Sequence, residues 1–279
     1  MIIDIFLPLS LVFIMFTLGL GLTSSDFLSI FRHPRALIVG MVNQMVMLPL
    51  FALFIILAFG IHKELAVGMM ILASCPGGVT SNMISKLAGG DTALSISYTA
   101  VVSILTIFTL PIITGMSIRY FMAAEAPEID IISICLAMFF ITTLPVSIGL
   151  MVRSYFKQFS NIFEPVAVKI STFLFIVIII GALLSEWDTF TDNFYRLGPA
   201  IILLMVSMIT VGYKSAQWFQ MNKQQSVTVA IESGIQNGTV GITIGNIIMN
   251  PEIGLSILSI PSGVYSILMY FVCLPFVFW

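Results

Sequence analysis

The segment Glu232-Ser-Gly-Ile-Gln-Asn-Gly-Thr239 places one acid, two amides and two glycines in the middle of an otherwise apolar stretch. An earlier apolar stretch is interrupted in the same way by Cys75-Pro-Gly-Gly-Val-Thr-Ser-Asn82. Proline and glycine weaken or break helices, and polar groups at membrane depth need partners inside the protein. The two segments therefore indicate a membrane protein with two interrupted helices.

The composition supports a membrane protein. Of the 279 residues, 59% are hydrophobic and 9% are charged, whereas about a quarter of the residues of a soluble domain are charged. The mean hydropathy is +1.11. The net charge is -2 and the 11 Lys and Arg residues are scattered, which excludes a nucleic-acid partner. The three cysteines show neither disulfide nor metal-ligand spacing.

The apolar stretches predict an all-α polytopic protein with nine transmembrane helices in a single transporter domain. A helix needs about 20 apolar residues to cross the hydrocarbon. The first stretch lacks basic residues before it and a cleavage site after it, so we expect a retained helix and not a signal peptide. The predicted spans are 2–22, 36–60, 65–87, 92–120, 129–152, 166–185, 198–218, 225–248 and 253–278.

The basic residues of alternate connections predict the orientation, because cytoplasmic loops are enriched in Lys and Arg. The side with more basic residues holds Arg32, Arg35, Lys86, Arg153, Lys157, Lys169, Lys214 and Lys223. The other side holds Lys63, Arg119 and Arg196. We therefore expect the N-terminus outside and the C-terminus in the cytoplasm, and in a bacterium we expect the inner membrane.

The two interrupted spans suggest an internal repeat. Each is followed by a span that carries Ser-Ile-Leu and then Leu-Pro, at Ser103 to Pro111 and at Ser266 to Pro275. Spans one to four would pair with spans six to nine, and the single span between them reverses the orientation of the second set. Inverted repeats with matching broken helices are typical of secondary transporters, whose binding sites lie at the breaks.

Glu232 is the acid that lies deepest within a predicted span. Insertion scales put the cost of the similar Asp at a helix centre at about 2.5 to 3.5 kcal/mol. No Lys, Arg or His lies near the centre of a span, since His33 and His62 are in predicted loops. The carboxylate therefore requires a metal ion or a proton.

Neutral oxygen ligands are available at the same depth. A single carboxylate among hydroxyl and amide oxygens suits Na⁺ better than a divalent ion, which usually recruits several acids. Each feature also has an ordinary structural interpretation: the Pro-Gly-Gly segment can be a simple kink, hydroxyls often join helices, and Gln44 can bond carbonyls freed by Pro49. The candidate oxygens belong to Ser81, Asn82, Ser95, Thr99, Gln44 and Gln236.

Together these stretches resemble the bile acid:sodium symporter family. The resemblance extends from Gly19-Leu-Gly-Leu-Thr23 to the last span, and Gly90-Asp-Thr-Ala-Leu-Ser95 and Leu48-Pro49 contribute to it. It implies two sodium ions as co-transported ligands. The first site would use Ser81, Asn82, Ser95, Thr99 and Glu232. The second would use Gln44, Glu232, Gln236 and the backbone around Ser233 and Ile235.

The resemblance also implies a core domain with two crossed, discontinuous helices and a panel domain that moves relative to it. The core would comprise residues 36–120 and 198–278, and the panel residues 2–22 and 129–185. Substrate would bind beside the crossover, where this chain has Val79 at a position that is often polar in the family. The candidate substrate residues are Val79, Thr80, Asn82, Asn237 and Gly238.

These observations predict a sodium-coupled importer of an organic anion, either bile acid-like or a small carboxylate such as pantoate. The alternative on the same scaffold is a proton-coupled or exporting transporter of organic anions or of the arsenite type. An intramembrane enzyme is not expected, because a mid-span Glu without a second acid or a His lacks the groups for proteolysis. No obligate protein partner is evident.

Overall fold

The computed structural model describes residues 2–22, 34–123, 130–185, 187–249 and 255–278, and over these ranges the chain is helical without β-strands. We number the α-helices in chain order. They are α1 (Ile2–Gly21), α2 (Pro34–Val42), α3 (Leu48–Phe59), α4 (Lys63–Ser74), α5 (Val79–Leu87), α6 (Thr92–Phe121), α7 (Ile131–Met138), α8 (Leu144–Tyr155), α9 (Lys157–Ser185), α10 (Trp187–Trp218), α11 (Lys223–Gly234), α12 (Gly238–Met249) and α13 (Ile260–Phe278).

Both predicted interruptions are present. Helix α4 ends at Ser74, and α5 starts at Val79 in a direction that differs by 61°. Helix α11 ends at Gly234, and Ile235 takes an extended conformation with φ -118° and ψ 119°. The two breaks touch, because the Asn237 N–H donates to the Pro76 carbonyl at 2.8 Å. Backbone groups released from one helix thus find a partner in the other, as the absence of water in a bilayer requires.

Two Leu-Pro pairs produce a second type of irregularity. A π-helical turn, Asn43–Met47, precedes Leu48-Pro49, and another, Phe139–Thr143, precedes Leu144-Pro145. Proline lacks an N–H and its ring crowds the carbonyl four residues earlier, so the helix widens by one residue there instead of breaking. The first π turn places Gln44 in the protein interior.

Small residues allow close helix packing around α1. A Cβ built on Gly19 would lie 2.1 Å from the Val146 carbonyl oxygen, and one on Gly149 would lie 2.3 Å from the Phe16 carbonyl oxygen. Only glycine permits this approach of α1 and α8. Helix α1 also packs against α9, whereas α10 packs against α11 and α13. The division into panel and core remains a prediction.

The exposed side chains identify lipid-facing surfaces. Phe54 is 71% exposed, Phe173 64% and Phe271 69%, and large apolar surfaces of this kind mark contact with lipid or with other proteins. Six helical segments of the described residues are long and apolar enough to cross a membrane, when α2 and α3, and likewise α7 and α8, are counted as one segment through their π turn. The bent α4–α5 pair makes seven. Within the N-terminal helix α1, the apolar stretch that qualifies is shorter, at Phe6–Gly21. The number of nine crossings therefore stays a prediction.

Two predicted connections are wrong. The stretches between the predicted spans, 153–165 and 186–197, are largely helical over their described residues, because α9 begins at Lys157 and α10 at Trp187. Their polar turns extend the helices beyond the apolar part, and apolarity alone detects only that part. The other long connections lie mainly outside the described residues, at 23–33, 124–129 and 250–254.

Candidate functional site

The Glu232 carboxylate lies at the contact of the two interruptions and is fully buried. Its Oε1 accepts a hydrogen bond from Ser95 Oγ at 2.5 Å. Its Oε2 accepts bonds from Thr99 Oγ1 at 2.9 Å and from Ser81 Oγ at 3.1 Å. Within the described part of the chain, no basic side chain forms an ion pair with it. The hydrogen-bond partners of the carboxylate among the described residues are therefore three hydroxyl groups.

Asn82 adds a carbonyl-type oxygen to this group. Its Oδ1 accepts from Ser95 Oγ at 2.8 Å and from Thr99 Oγ1 at 3.1 Å. Ser95 and Thr99 lie one turn apart on α6, so that both reach the α5 and α11 side chains at once. The five residues predicted for the first sodium site thus form one connected network of hydrogen bonds.

This cluster contains fewer hydroxyl protons than oxygen–oxygen contacts. The hydroxyls of Ser81, Ser95 and Thr99 carry one proton each, yet with the Gly78 carbonyl included they make six oxygen–oxygen contacts. Three protons cannot satisfy six contacts. Three contacts remain: a rotated Asn82 amide would supply protons for two of them and a proton on Glu232 for one, whereas a cation among the oxygens would let them act as its ligands.

Gly77 leaves the space in front of the carboxylate. A Cβ at this position would lie 2.7 Å from Glu232 Oε2 and 2.9 Å from Ser81 Oγ. Any residue with a side chain would push into the group of oxygens. The Pro-Gly-Gly segment therefore does more than bend the helix, because its first glycine keeps this volume open.

The residues predicted for the second sodium site form a separate group. Gln44 Nε2 donates to Gln236 Oε1 at 2.7 Å, and Gln236 Nε2 donates to the Ser233 carbonyl at 3.3 Å. Both glutamines are 2% exposed, and Gln44 Oε1 is buried without a hydrogen-bond partner. Gln44 bonds across to the two breaks instead of to its own π turn, so it does not simply satisfy carbonyls freed by Pro49. The carboxylate of Glu232 bonds to the first group.

Helix ends fix the second interruption. The Tyr265 hydroxyl donates to the Gly234 carbonyl at the end of α11, and the Ile235 N–H bonds to the Ile231 carbonyl at 2.8 Å. Asn237 caps α12 by accepting from the Val240 N–H at 3.3 Å. The two interruptions consequently bring together four helix ends. They are the C-termini of α4 and α11, which present carbonyl groups, and the N-termini of α5 and α12, which present N–H groups.

An open cavity lies beside the crossover, with about 630 Å³ of empty space when the adjoining solvent is included. Its lining includes Val79, Thr80, Gln236, Asn237 and Gly238 from the interruptions. Asn82, the remaining predicted substrate residue, does not line the cavity, and its oxygen faces the Ser95 and Thr99 hydroxyls. The α1 and α9 residues that close the opposite wall are Ile14, Val168, Ser171, Thr172 and Phe175.

The sequence profile of the sodium bile acid symporter family matches residues 8–193. The chain belongs to this family. It is 30% identical over 261 residues to the uncharacterized sodium-dependent transporter YocS of Bacillus subtilis, covering 91% of this chain and 76% of the relative.

More distant relatives extend the range of the family. The probable chloroplastic sodium/metabolite cotransporter BASS1 of Arabidopsis thaliana is 24% identical, with 91% of this chain and 61% of the relative covered. The human P3 protein is 28% identical, with 76% of this chain and 44% of the relative covered. The chain thus spans about half of the length of the human relative. The match places this chain among sodium-dependent membrane transporters.

Part of the site of this family member was not predicted. The sequence predicts only a helix break at Gly77, because its closeness to the carboxylate depends on how α5 and α11 cross. Met269 and Tyr270 of α13, like the α9 residues of the cavity wall, come from continuous helical stretches without a break. The only sequence signal at Ser171 and Thr172 is a pair of hydroxyls in an apolar span.

Proposed function

We propose that the protein is a symporter that couples the inward movement of Na⁺ to the import of an organic anion by alternating access. The observation that carries the proposal is the fully buried Glu232 carboxylate at the contact of two broken helices, which has hydroxyl partners and, among the described residues, no basic partner. A small cation held by these oxygens neutralises the charge and ties α5, α6 and α11 together. Sodium binding then favours one arrangement of the crossover.

We assign two sodium sites to the two groups of polar residues. The unpartnered Gln44 Oε1 supports the second, because a buried acceptor without a donor is costly and a cation would satisfy it. Two sodium ions with one monoanion carry one net charge inward. A potential of 100 mV, negative inside, then contributes about 2.3 kcal/mol to uptake.

The cavity supports an organic anion as the substrate. The first residues of α5 and α12, including Val79, Thr80 and Gly238, border it, and helix N-termini favour negative charge. The opposite wall offers apolar side chains such as Ile14 and Phe175. A carboxylate at the helix ends with an apolar body against α1 and α9 fits both walls. Bile acid-like anions and small carboxylates such as pantoate are the candidate classes.

The position of the cavity supports an inward-facing arrangement. It is bordered by α5, by the second half of α1 with Ile14 and by the middle of α13 with Tyr270. These parts lead to the side where the basic residues predict the cytoplasm. We therefore place the N-terminus outside and the C-terminus inside, with panel helices α1 and α7–α9 moving against the core during transport.

The test is uptake into proteoliposomes that hold the purified protein. Bile acids, pantoate and small keto acids are screened with an inward Na⁺ gradient and with a K⁺ gradient in its place. At least one of these anions is expected to accumulate above its external concentration with Na⁺ alone, and a potential negative inside should increase the rate. Uptake without current would contradict a stoichiometry of two sodium ions for one monoanion.

A proton-coupled transporter is the second candidate, because a proton on Glu232 would also neutralise the carboxylate and satisfy one of the three remaining oxygen contacts. Uptake or export would then follow a pH gradient and persist without Na⁺. The same vesicles with a pH gradient in Na⁺-free buffer separate the two functions. We expect no accumulation under that condition.

The second sodium site gives a prediction of its own. Replacing Gln44 by Met keeps the side-chain length and removes both polar atoms, so one sodium site should be lost. The Hill coefficient for Na⁺ in uptake is expected to fall from about two towards one. Asn43→Leu is the matched control, because Asn43 lies in the same π turn but bonds to Ser215 Oγ at 2.8 Å. An unchanged Hill coefficient in Gln44→Met would remove the second site from the proposal.

A further inference from the structure

A second pocket lies far from the crossover, at the predicted outer ends of α3, α4 and α10. It has about 400 Å³ of empty volume. The short connection between α3 and α4 forms one wall, and the beginning of the apolar part of α10 forms the other. Its lining residues are Gly60, Ile61, His62, Leu65, Arg196 and Leu197.

Arg196 gives this pocket a positive charge. Its guanidinium carbon lies 5.3 Å from the centre of the Tyr195 ring, and among the described residues it forms no ion pair. The nearest acids along the chain, Asp192 and Glu64, do not line the pocket. The planar guanidinium of an arginine matches the geometry of a phosphate group better than the ammonium of a lysine does. The pocket therefore offers a phosphate-binding donor whose charge is not already neutralised.

The α3–α4 connection places a second donor opposite. Gly60 and Lys63 both take left-handed conformations, with φ of 58° and 51°, and His62 between them is extended. The imidazole Nε2 lies 3.7 Å from the position that a Cβ on Gly60 would take, and the His62 side chain does not cap α4. A left-handed lysine is uncommon. The connection thus holds the imidazole at the pocket and leaves its ring nitrogens available to a ligand.

The surroundings of the pocket match the boundary of a membrane. Exposed aromatic side chains, Trp187 and Tyr195, precede Arg196 on α10, and such residues concentrate at the level of lipid headgroups. Towards the membrane centre, exposed apolar side chains follow on the same two helices. They include Phe54 at 71% and Leu57 at 56% exposed on α3, and Leu203 at 45% on α10.

We propose that this pocket binds the phosphate of an outer-leaflet phospholipid, with Arg196 and His62 as donors and the acyl chains along α3 and α10. The charge of Arg196 selects the phosphate diester, and the apolar surfaces select a lipid over a soluble anion. This site is separate from the sodium and substrate sites and does not depend on the proposed transport activity.

Native mass spectrometry of the full-length protein in detergent tests the proposal, with dioleoyl phosphatidylglycerol and dioleoylglycerol as probes. The two lipids share acyl chains and differ in the phosphate. The protein is expected to retain one phosphatidylglycerol and no dioleoylglycerol. Arg196→Gln should weaken phosphatidylglycerol binding about tenfold or more, because a charge-assisted contact is lost, and Arg196→Lys should restore part of it.

Arg119→Gln is the matched control, since Arg119 is an exposed arginine on the same predicted side outside the pocket. It should bind phosphatidylglycerol as the unchanged protein does, and so should Glu232→Gln. Equal retention of dioleoylglycerol, or equal weakening by Arg119→Gln and Arg196→Gln, would overturn the site. Stabilisation by inorganic phosphate in lipid-free protein that depends on Arg196 to the same extent would overturn the lipid assignment in favour of a soluble anion.

Discussion

Glu232→Gln is expected to abolish sodium-driven uptake, with an initial rate at least about a hundredfold below that of the unchanged protein. The substitution keeps the size of the side chain and removes the negative charge that would attract a cation to Ser81, Ser95 and Thr99. The amide nitrogen of the variant side chain also brings two N–H protons into a group of oxygens that, in the unchanged protein, accepts a cation. The measurement is initial uptake in proteoliposomes over a range of Na⁺ concentrations.

Stability separates loss of the site from loss of the fold. In Na⁺-free buffer we expect Glu232→Gln to unfold at the same temperature as the unchanged protein or higher, because a buried amide costs less than a buried carboxylate without a counter-ion. Addition of Na⁺ should raise the unfolding temperature of the unchanged protein, since a ligand that binds only the folded state stabilises it. The variant should show no such increase.

Glu164→Gln provides the matched control. It makes the same chemical change in a carboxylate that pairs with Arg153 at 3.3 Å and lies near the protein surface. Uptake and the effect of Na⁺ on unfolding should remain as in the unchanged protein. Sodium-stimulated uptake that survives Glu232→Gln would show that the cation is held elsewhere.

The residues of the candidate sodium site stand out in the sequence because their signal is energetic. A lone acid at membrane depth is costly wherever it lies in the fold, so Glu232 stands out in the sequence without any knowledge of packing. Its hydroxyl partners are recognisable for a similar reason: Ser95 and Thr99 are four residues apart and lie on one face of α6. The structure brings them together with Ser81 as expected.

The far wall of the cavity could not be predicted because it depends on helix packing. Phe175 and Val168 are ordinary apolar residues of a membrane helix, and nothing in the sequence distinguishes those that face the cavity from those that face lipid. The helical extent of α9 and α10 was also underestimated, since polar residues such as Asn161 and Asp192 continue these helices outside the apolar region. Contacts between residues far apart in the sequence determine both the cavity wall and the lengths of α9 and α10.

Gly77→Ala is expected to lower the affinity for Na⁺ about tenfold or more while the protein still folds. The described glycines with left-handed backbones are Gly60 and Gly89, so alanine is compatible with the conformation of Gly77. The added Cβ would lie 2.7 Å from Glu232 Oε2 and 2.9 Å from Ser81 Oγ. Both atoms are ends of side chains and can move, but the movement separates ligands that a cation site holds to within about 0.2 Å.

The expected signature is a higher Na⁺ concentration for half-maximal uptake, with substrate accumulation recovered at saturating Na⁺. Gly181→Ala is the control, because no heavy atom lies within 4 Å of a Cβ built at that position. Alanine within a helix stabilises it by roughly 0.5 to 1 kcal/mol relative to glycine, so this variant should unfold at a higher temperature and keep its Na⁺ affinity. If Gly77→Ala binds Na⁺ as tightly as the unchanged protein, the cation does not lie against the oxygens of Glu232 and Ser81. The role of Gly77 would then be confined to the bend between α4 and α5.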